Sequence, residues 1–124
     1  MAMPKLDSVA FSCPGGETPL SSQPRPIDLA HLSRQTLGDR AIEAEVLGLF
    51  LLQASGVRET LAGLAPAERA RLAHGLRGSA AGVGAFAVAD AAKAIERKPD
   101  DQALIRRLSD CIDEARGFIA SISR

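Results

Sequence analysis

The sequence predicts an all-α fold, specifically an antiparallel up-and-down four-helix bundle with a short extra N-terminal helix. Three observations predict it: apolar residues recur at three-to-four spacing in four long segments, no segment alternates as a strand does, and the connections are short. The 124 residues are the size of one domain. Residues 1–25, rich in proline, glycine and serine, are predicted to form a flexible N-terminal tail, and residues 26–124 the bundle.

The first two helices are predicted from their capping residues. A short helix begins at Asp28, an N-cap residue, and ends near Gly38, where a C-terminal glycine is usual. Asp39 caps the second helix, which extends from Arg40 to about Leu64. Its predicted core residues follow one another at three-to-four spacing: Ile42, Val46, Leu47, Phe50, Ala54, Val57, Leu61 and Leu64.

The other three helices are bounded by a proline and by a turn. Pro66 fits the first position of the third helix, which extends through Val83, and the fourth helix covers 85–96. After a turn at 98–101, the last helix continues for about twenty residues with a near-heptad apolar stripe. The predicted core residues of these helices are Leu72, Leu76 and Val83; then Ala85, Val88, Ala89, Ala92 and Ile95; then Leu104, Leu108, Cys111, Ile112, Ala115, Ile119 and Ile122.

The composition excludes several classes of function. The chain carries 15 basic and 15 acidic side chains, so no overall field favours nucleic acid or an anionic membrane. It has no tryptophan or tyrosine and only 4 phenylalanines, too few to stack single-stranded bases. No signal peptide or membrane-spanning run is evident, so we expect a cytoplasmic protein. Cys13 and Cys111 are not expected to form a disulfide bond.

The third helix contains a glycine-rich segment. Gly75, Gly78, Gly82 and Gly84 all fall within ten residues. Each glycine inside a helix costs about 1 kcal/mol relative to alanine, so the segment gives up several kcal/mol of helix propensity. We infer that small side chains are required there.

His74 lies in this segment, on the helix face opposite the predicted core. At about 100° per residue its side chain points away from the apolar stripe, and Arg71 and Arg77 flank it three residues before and after. This position excludes a core histidine, while an accidental surface histidine stays open. A metal site is disfavoured because no histidine, cysteine or carboxylate lies three or four residues away on the same face.

An exposed histidine between two arginines suits transient phosphorylation. A neutral imidazole is a good nucleophile near neutral pH. Guanidinium groups one turn away can bind phosphoryl oxygens, and they disfavour the protonated ring, which cannot attack. The sequence shows no nucleotide site: the Gly-x-Gly-x-x-Ala run at 82–87 follows a helix and no strand, and it lacks the context of a dinucleotide fingerprint. The phosphoryl group must therefore come from another protein.

This segment resembles the histidine phosphotransfer (HPt) domain family. The family pattern is roughly His-x-Leu-Lys-Gly-Ser-Ser/Ala followed by Gly-Ala, and here it reads His74, Leu76, Arg77, Gly78, Ser79, Ala80 and then Gly84-Ala85. The resemblance extends across about residues 27–122. It implies a four-helix bundle whose histidine is phosphorylated on its outer ring nitrogen and exchanges the phosphoryl group with the aspartate of receiver domains. Gly75 departs from the pattern, because the family often has a larger polar residue there.

Carried over by position, the resemblance implies a role for each site residue. His74 is the expected phosphoacceptor, Arg77 stabilises the phosphoryl oxygens in place of the usual lysine, and Gly78 gives access to the ring. Arg71 is expected to add electrostatic support. Ser79 is expected to form a hydrogen bond back to the preceding turn.

The resemblance also implies the partners. We expect receiver domains of hybrid histidine kinases and of response regulators, neither nucleic acid nor membrane, and a monomeric chain. No cofactor is expected, with magnesium only on the partner receiver. About 50 residues follow His74, too few for an ATP-binding domain, so we expect a phosphotransfer intermediate and no kinase. Docking is predicted beside His74 at Ala70, Ala81, Gly82, Leu49 and Leu52, with core packing as the alternative interpretation of the two leucines.

Two other classes of function stay open. A helical-bundle interaction module that binds and regulates a receiver or kinase without carrying phosphate would keep the docking face but has no need of His74. A dimerising structural bundle would use the apolar residues of the second and last helices, and its mass in solution would reveal it.

Overall fold

Capping residues set the helix boundaries in the computed structural model, which describes residues 25–123. Within that range the chain forms α-helices and no strand, so the predicted all-α class is confirmed there. The predicted tail lies outside the described residues except for Arg25, as does Cys13. The helices are α1 (Leu29–Gln35), α2 (Arg40–Thr60), α3 (Pro66–Val83), α4 (Phe86–Arg97) and α5 (Gln102–Ile122), with a 3₁₀ turn (Leu61–Gly63) after α2.

The predicted caps are confirmed. Asp28 Oδ1 accepts a backbone N–H bond of 3.0 Å at the start of α1, and Asp39 Oδ1 accepts two, of 2.9 and 3.1 Å, at the start of α2. Pro66 occupies the first turn of α3, where its missing N–H leaves no helix bond unmade. Asp101 caps α5 in the same way as the other aspartates.

The core lies between four helices, and α1 packs against α3. α2 contacts α3 and α5, and α4 contacts the same two helices. Leu76, Ile95, Leu108 and Ile112 are fully buried. None of the helices in the described part of the chain is long and apolar enough to span a bilayer. α3 and α4 form the most extensive contact of all pairs, and many of their buried residues are small: Ala73, Ala80, Ala89, Ala91 and Ala92.

Three residues predicted to lie in the core are exposed, so that part of the prediction is wrong. Ile42 is 44% exposed and Ile122 is 41% exposed. They lie in the first turn of α2 and the last turn of α5, where a helix end has fewer neighbours. Leu72, which is 37% exposed, lies one position off the buried stripe of α3. That stripe consists of Arg69, Ala73, Leu76, Ala80 and Val83.

Gly84 holds α1 against the turn between α3 and α4. Its backbone is left-handed, with φ of +86°, and its carbonyl accepts the Asp28 N–H at 2.9 Å. A Cβ at this position would lie 2.8 Å from the Asp28 carbonyl oxygen, closer than non-bonded atoms approach. Only glycine fits here, so packing explains this glycine of the segment.

The buried side chain of Arg69 binds the C-terminal end of α2, which lies earlier in the chain than the sequence predicts. Its guanidinium donates to the carbonyls of Leu61, Ala62 and Leu64, at 3.0, 3.1 and 2.8 Å, and to the carbonyl of Pro99. The first three carbonyls lie at the C-terminal end of α2 and its 3₁₀ turn, where unpaired carbonyls and the helix dipole favour a cation. The α-helix stops at Thr60, before the predicted boundary near Leu64, and Arg69 provides donors for the carbonyls that follow; no local pattern in the sequence indicates this contact.

Candidate functional site

His74 lies on the exposed face of α3, as the helical wheel predicts. Its side chain is 68% exposed, whereas the adjacent Ala73 is fully buried. The ring Nδ1 lies 2.9 Å from Oε1 of Glu96, which α4 contributes. Within residues 25–123 no hydrogen bond reaches the second ring nitrogen, Nε2. The ring is thus anchored through one nitrogen and open at the other.

Arg77 and Glu96 form a hydrogen-bonded cluster with His74, called here the His74 cluster. Arg77 Nε donates to Oε2 of Glu96, and Arg77 Nη2 lies 3.1 Å from His74 Nδ1. Burial alone raises the pKa of the Glu96 carboxyl, but the hydrogen bonds from His74 and Arg77 outweigh it and hold that pKa below its usual range. Glu96 is therefore ionised at neutral pH and can only accept hydrogen bonds.

The ionised carboxylate assigns the tautomer of the neutral His74 ring. In a neutral ring, the 2.9 Å contact with Glu96 Oε1, which can only accept, assigns the proton to Nδ1 and leaves a lone pair on Nε2; the longer 3.1 Å contact from Arg77 Nη2 would need the opposite tautomer. Arg77 Nη2 is itself a donor, so it cannot donate to the protonated Nδ1 beside it. Its hydrogens stay available for an anion. The His74 cluster therefore presents a nucleophilic nitrogen next to a guanidinium.

Replacing Glu96 with alanine is expected to move the ring proton. Without the carboxylate, Arg77 Nη2 can donate a hydrogen bond to Nδ1, which favours the tautomer with no proton on Nδ1. The ring proton then lies on Nε2, and Nε2 no longer has a nucleophilic lone pair. We expect nitrogen chemical shifts of the His74 ring to report this change, and any reaction at Nε2 to slow by about tenfold. Asp90→Ala, an exposed carboxylate of the same helix, is the control. An unchanged tautomer in Glu96→Ala would contradict the assignment.

Packing does not explain Gly78 and Gly82. Both are exposed, and a Cβ at either position would meet nothing within 4 Å. The fold therefore has room for a larger side chain at each of these surface positions. The missing side chains instead leave bare surface on the same helix as His74.

Gly78→Ala is expected to stabilise the protein. Alanine enters open space there and gains helix propensity, so the free energy of unfolding should rise by about 0.5–1 kcal/mol in chemical denaturation. Gly117→Ala, on α5, also enters open space and should give a similar gain. Gly84→Ala should destabilise, because its backbone is left-handed and its Cβ would overlap Asp28. A loss of stability in Gly78→Ala would mean that packing requires this glycine.

Of the predicted docking residues, Leu49 and Gly82 line an apolar groove between α2 and α3, called here the α2–α3 groove, whereas Ala70, Ala81 and Leu52 are not among its lining residues. Leu49 and Leu52 are 62% and 74% exposed, which excludes core packing as their explanation. Ala70 and Ala81 are half-buried. The groove has a volume of about 360 Å³ and is lined by Val46, Leu49, Phe50, Gln53, Ser79, Gly82 and Val83.

Of two further residues predicted to support the site, Ser79 forms its expected hydrogen bond and Arg71 forms none with the His74 cluster. Ser79 Oγ donates to the Gly75 carbonyl at 3.3 Å, which is the expected bond to the preceding turn. Arg71 is exposed and forms no hydrogen bond or ion pair with the cluster among the described residues. Its electrostatic support stays a prediction.

Glu96 is absent from the sequence-based prediction of the site. It lies 22 residues after His74 on a different helix, so no spacing within one helix could indicate it. Only the packing of α4 against α3 brings the carboxylate to the ring. In the part of the chain that the structure describes, no three His, Cys, Asp or Glu side chains are grouped as metal ligands.

One comparison with known proteins gives a match. A family model described as "Hpt domain" matches residues 45–118, more than half of the chain. The matched range extends from α2 into α5 and contains His74, Arg77 and Glu96. No curated protein and no solved structure matches the chain.

Proposed function

Because this chain belongs to the Hpt domain family, we propose that it is a phosphocarrier in a multistep two-component phosphorelay. Hpt domains carry out histidine phosphotransfer in two-component signalling, they are phosphocarriers rather than kinases, and they interact with receiver domains. We propose that His74 accepts a phosphoryl group from a receiver aspartate and passes it to the aspartate of another receiver. The observation that supports this most is the Glu96 hydrogen bond to Nδ1, which leaves Nε2 free to attack.

The proposed step is an in-line displacement at phosphorus. The Nε2 lone pair forms the new P–N bond while the P–O bond to the receiver aspartate breaks, and that carboxylate leaves with the electron pair. The ring becomes a phosphorylated imidazolium whose remaining proton stays on Nδ1, where Glu96 stabilises it. The reverse step returns the phosphoryl group to a second aspartate.

Arg77, Gly78 and Arg71 have supporting roles in this proposal. The protonated Nδ1 cannot accept a hydrogen bond from Arg77 Nη2. That group therefore donates to the phosphoryl oxygens as negative charge increases on them. Gly78 leaves open space through which the receiver reaches the ring. Arg71 adds positive charge without contacting the ring. Magnesium enters with the receiver, and the chain itself uses no cofactor.

The docking face in this proposal consists of the α2–α3 groove and the residues beside it. Leu49 and Leu52 supply exposed apolar surface, and Gly82, which has no side chain, leaves space in the groove. Ala70 and Ala81 are half-buried small residues of α3, the helix that carries His74, and in this proposal they add to the docking face. A groove of about 360 Å³ accommodates an aliphatic side chain of the receiver, whose burial stabilises the complex.

We also propose that the four long helices run antiparallel, up and down. Only Gly84 and Ala85 separate α3 from α4, a connection typical of antiparallel neighbours. The bonds of Arg69 to the carbonyls after α2 and to Pro99 support a common end of the bundle for these two connections. Both observations agree with the bundle expected from the sequence.

The alternative function is an interaction module that binds a receiver or a kinase without carrying phosphate. Such a module would keep the α2–α3 groove but would not need a tautomer-fixing carboxylate beside an exposed histidine. The His74 cluster therefore favours the phosphocarrier.

The deciding experiment follows labelled phosphate from a panel of phosphorylated receivers to this chain, with binding measured in parallel. A phosphocarrier acquires an acid-labile label within the lifetime of the receiver phosphate. Binding without any transfer of label would favour the interaction module and would contradict the proposal.

A further inference from the structure

Gln53 of α2 lies beside the residue that follows His74. A Cβ built on Gly75 would meet one neighbour within 4 Å, the side-chain Nε2 of Gln53, at 3.9 Å. Gln53 and Gly75 are both exposed. The bare Gly75 surface therefore leaves the Gln53 carboxamide uncovered next to the residue that follows His74.

Among the residues that the structure describes, the Gln53 carboxamide is the polar side-chain group of the α2–α3 groove that has no hydrogen-bond partner. The other lining residues are apolar or glycine, apart from Ser79. The Ser79 hydroxyl proton is already donated to the Gly75 carbonyl. Gln53 forms no side-chain hydrogen bond with any other residue in 25–123. A partner that covers the groove must therefore form hydrogen bonds with this carboxamide or bury it without a hydrogen-bond partner.

We propose that Gln53 is a specificity-determining residue, which selects receivers that place a neutral hydrogen-bonding group over Gly75. An amide both donates and accepts, so it matches an exposed peptide group or another carboxamide of the receiver. A receiver with an aliphatic side chain at that point would bury the amide without a partner, and sites built to bond a polar group reject partners that lack it. This inference rests on the proposed function, because it takes the docking partner to be a receiver.

The test compares wild type with Gln53→Leu, which keeps the size of the side chain but cannot form hydrogen bonds. Affinity is measured by calorimetry for each receiver of a panel, together with the rate of phosphoryl transfer from each. We expect affinity to fall by about tenfold for the receivers that bind wild type best, and to stay unchanged or rise for the weakest binders. The range of affinities across the panel should therefore become narrower. Gln102→Leu, an exposed glutamine at the start of α5, is the matched control and should leave the ranking unchanged.

A second variant tests the same surface without altering Gln53. Gly75→Gln adds a long side chain where the Gln53 amide now lies, and it should change the receiver ranking, whereas Gly75→Ala introduces only an ordinary contact of 3.9 Å and should preserve it. Labelling of His74 by phosphoramidate, a small phosphoryl donor that needs no docking, should be equal in wild type and Gln53→Leu. Circular dichroism confirms that each variant is folded.

The outcomes separate this inference from the proposed function. If the affinities of all receivers keep their ratios in Gln53→Leu, Gln53 does not determine specificity, whether or not phosphate moves. If wild type takes phosphate from no receiver, the phosphocarrier proposal fails, while the affinity ranking still decides the role of Gln53.

Discussion

Replacing His74 with alanine is expected to abolish phosphoryl transfer to this chain. Nε2 of that ring is the proposed nucleophile, and the exposed neighbours on α3 offer no other side chain that can take its place in the cluster. The fold should survive: the side chain is 68% exposed, and alanine gains helix propensity that offsets the lost bond to Glu96. We expect the free energy of unfolding to stay within about 0.5 kcal/mol of wild type.

The measurement is incorporation of label from a phosphorylated receiver, combined with chemical denaturation of the same samples. His31→Ala is the matched control, because the chain has 2 histidines and His31 belongs to α1, where its ring packs edge to face against Phe86. His31→Ala should keep its label even if it loses some stability. Persistent labelling of His74→Ala would show that the phosphoacceptor is another residue.

Replacing Arg69 with methionine is expected to destabilise the fold by about 3–5 kcal/mol. Arg69 is 6% exposed and donates to four backbone carbonyls. Methionine keeps most of the length and apolar contact of the side chain but removes the guanidinium donors from these buried and part-buried carbonyls, of which the Leu61 carbonyl keeps the Leu64 N–H as a donor. The loss should appear as a lower midpoint of denaturation with little change of helix content at low denaturant.

Arg71→Met is the matched control for that variant. It removes the same charge from the same helix two residues later, but from an exposed side chain, and it should change the free energy of unfolding by less than about 0.5 kcal/mol. Equal effects of the two substitutions would mean that the carbonyl bonds of Arg69 do not stabilise the protein.

Local signals in the sequence predict most of the fold. Asp28, Asp39 and Pro66 mark the helix starts correctly, because an N-cap bond and a proline ring act within one turn of the chain. The exposed position of His74 is equally local, since helix geometry alone sets which side chains share a face. Leu72 was predicted to be buried because it is large and apolar. The buried stripe of α3 instead passes through the neighbouring Ala73, because α3 buries alanines where α4 comes close.

Long-range contacts account for what the sequence does not predict. Glu96 reaches His74, Gln53 reaches Gly75 and Arg69 reaches Pro99 only through the packing of one helix on another. None of these pairs lies within one helical turn, so a periodic pattern carries no information about them. The exposed position of His74 on α3 was therefore predictable, and Leu49 and Leu52 of α2 were named from the sequence, whereas the contacts of Gln53 and Glu96 were not predictable.

The exposure of the His74 ring has a consequence for timing. Its side chain is 68% exposed, and the open surface at Gly78 and Gly82 provides no cover. Under the proposed function, a phosphoryl group on Nε2 would be surrounded by water rather than stored in a closed pocket. The lifetime of the phosphorylated state would then be limited by hydrolysis of the P–N bond. The amount of phosphorylated chain would therefore reflect recent transfer and not transfer that took place long before.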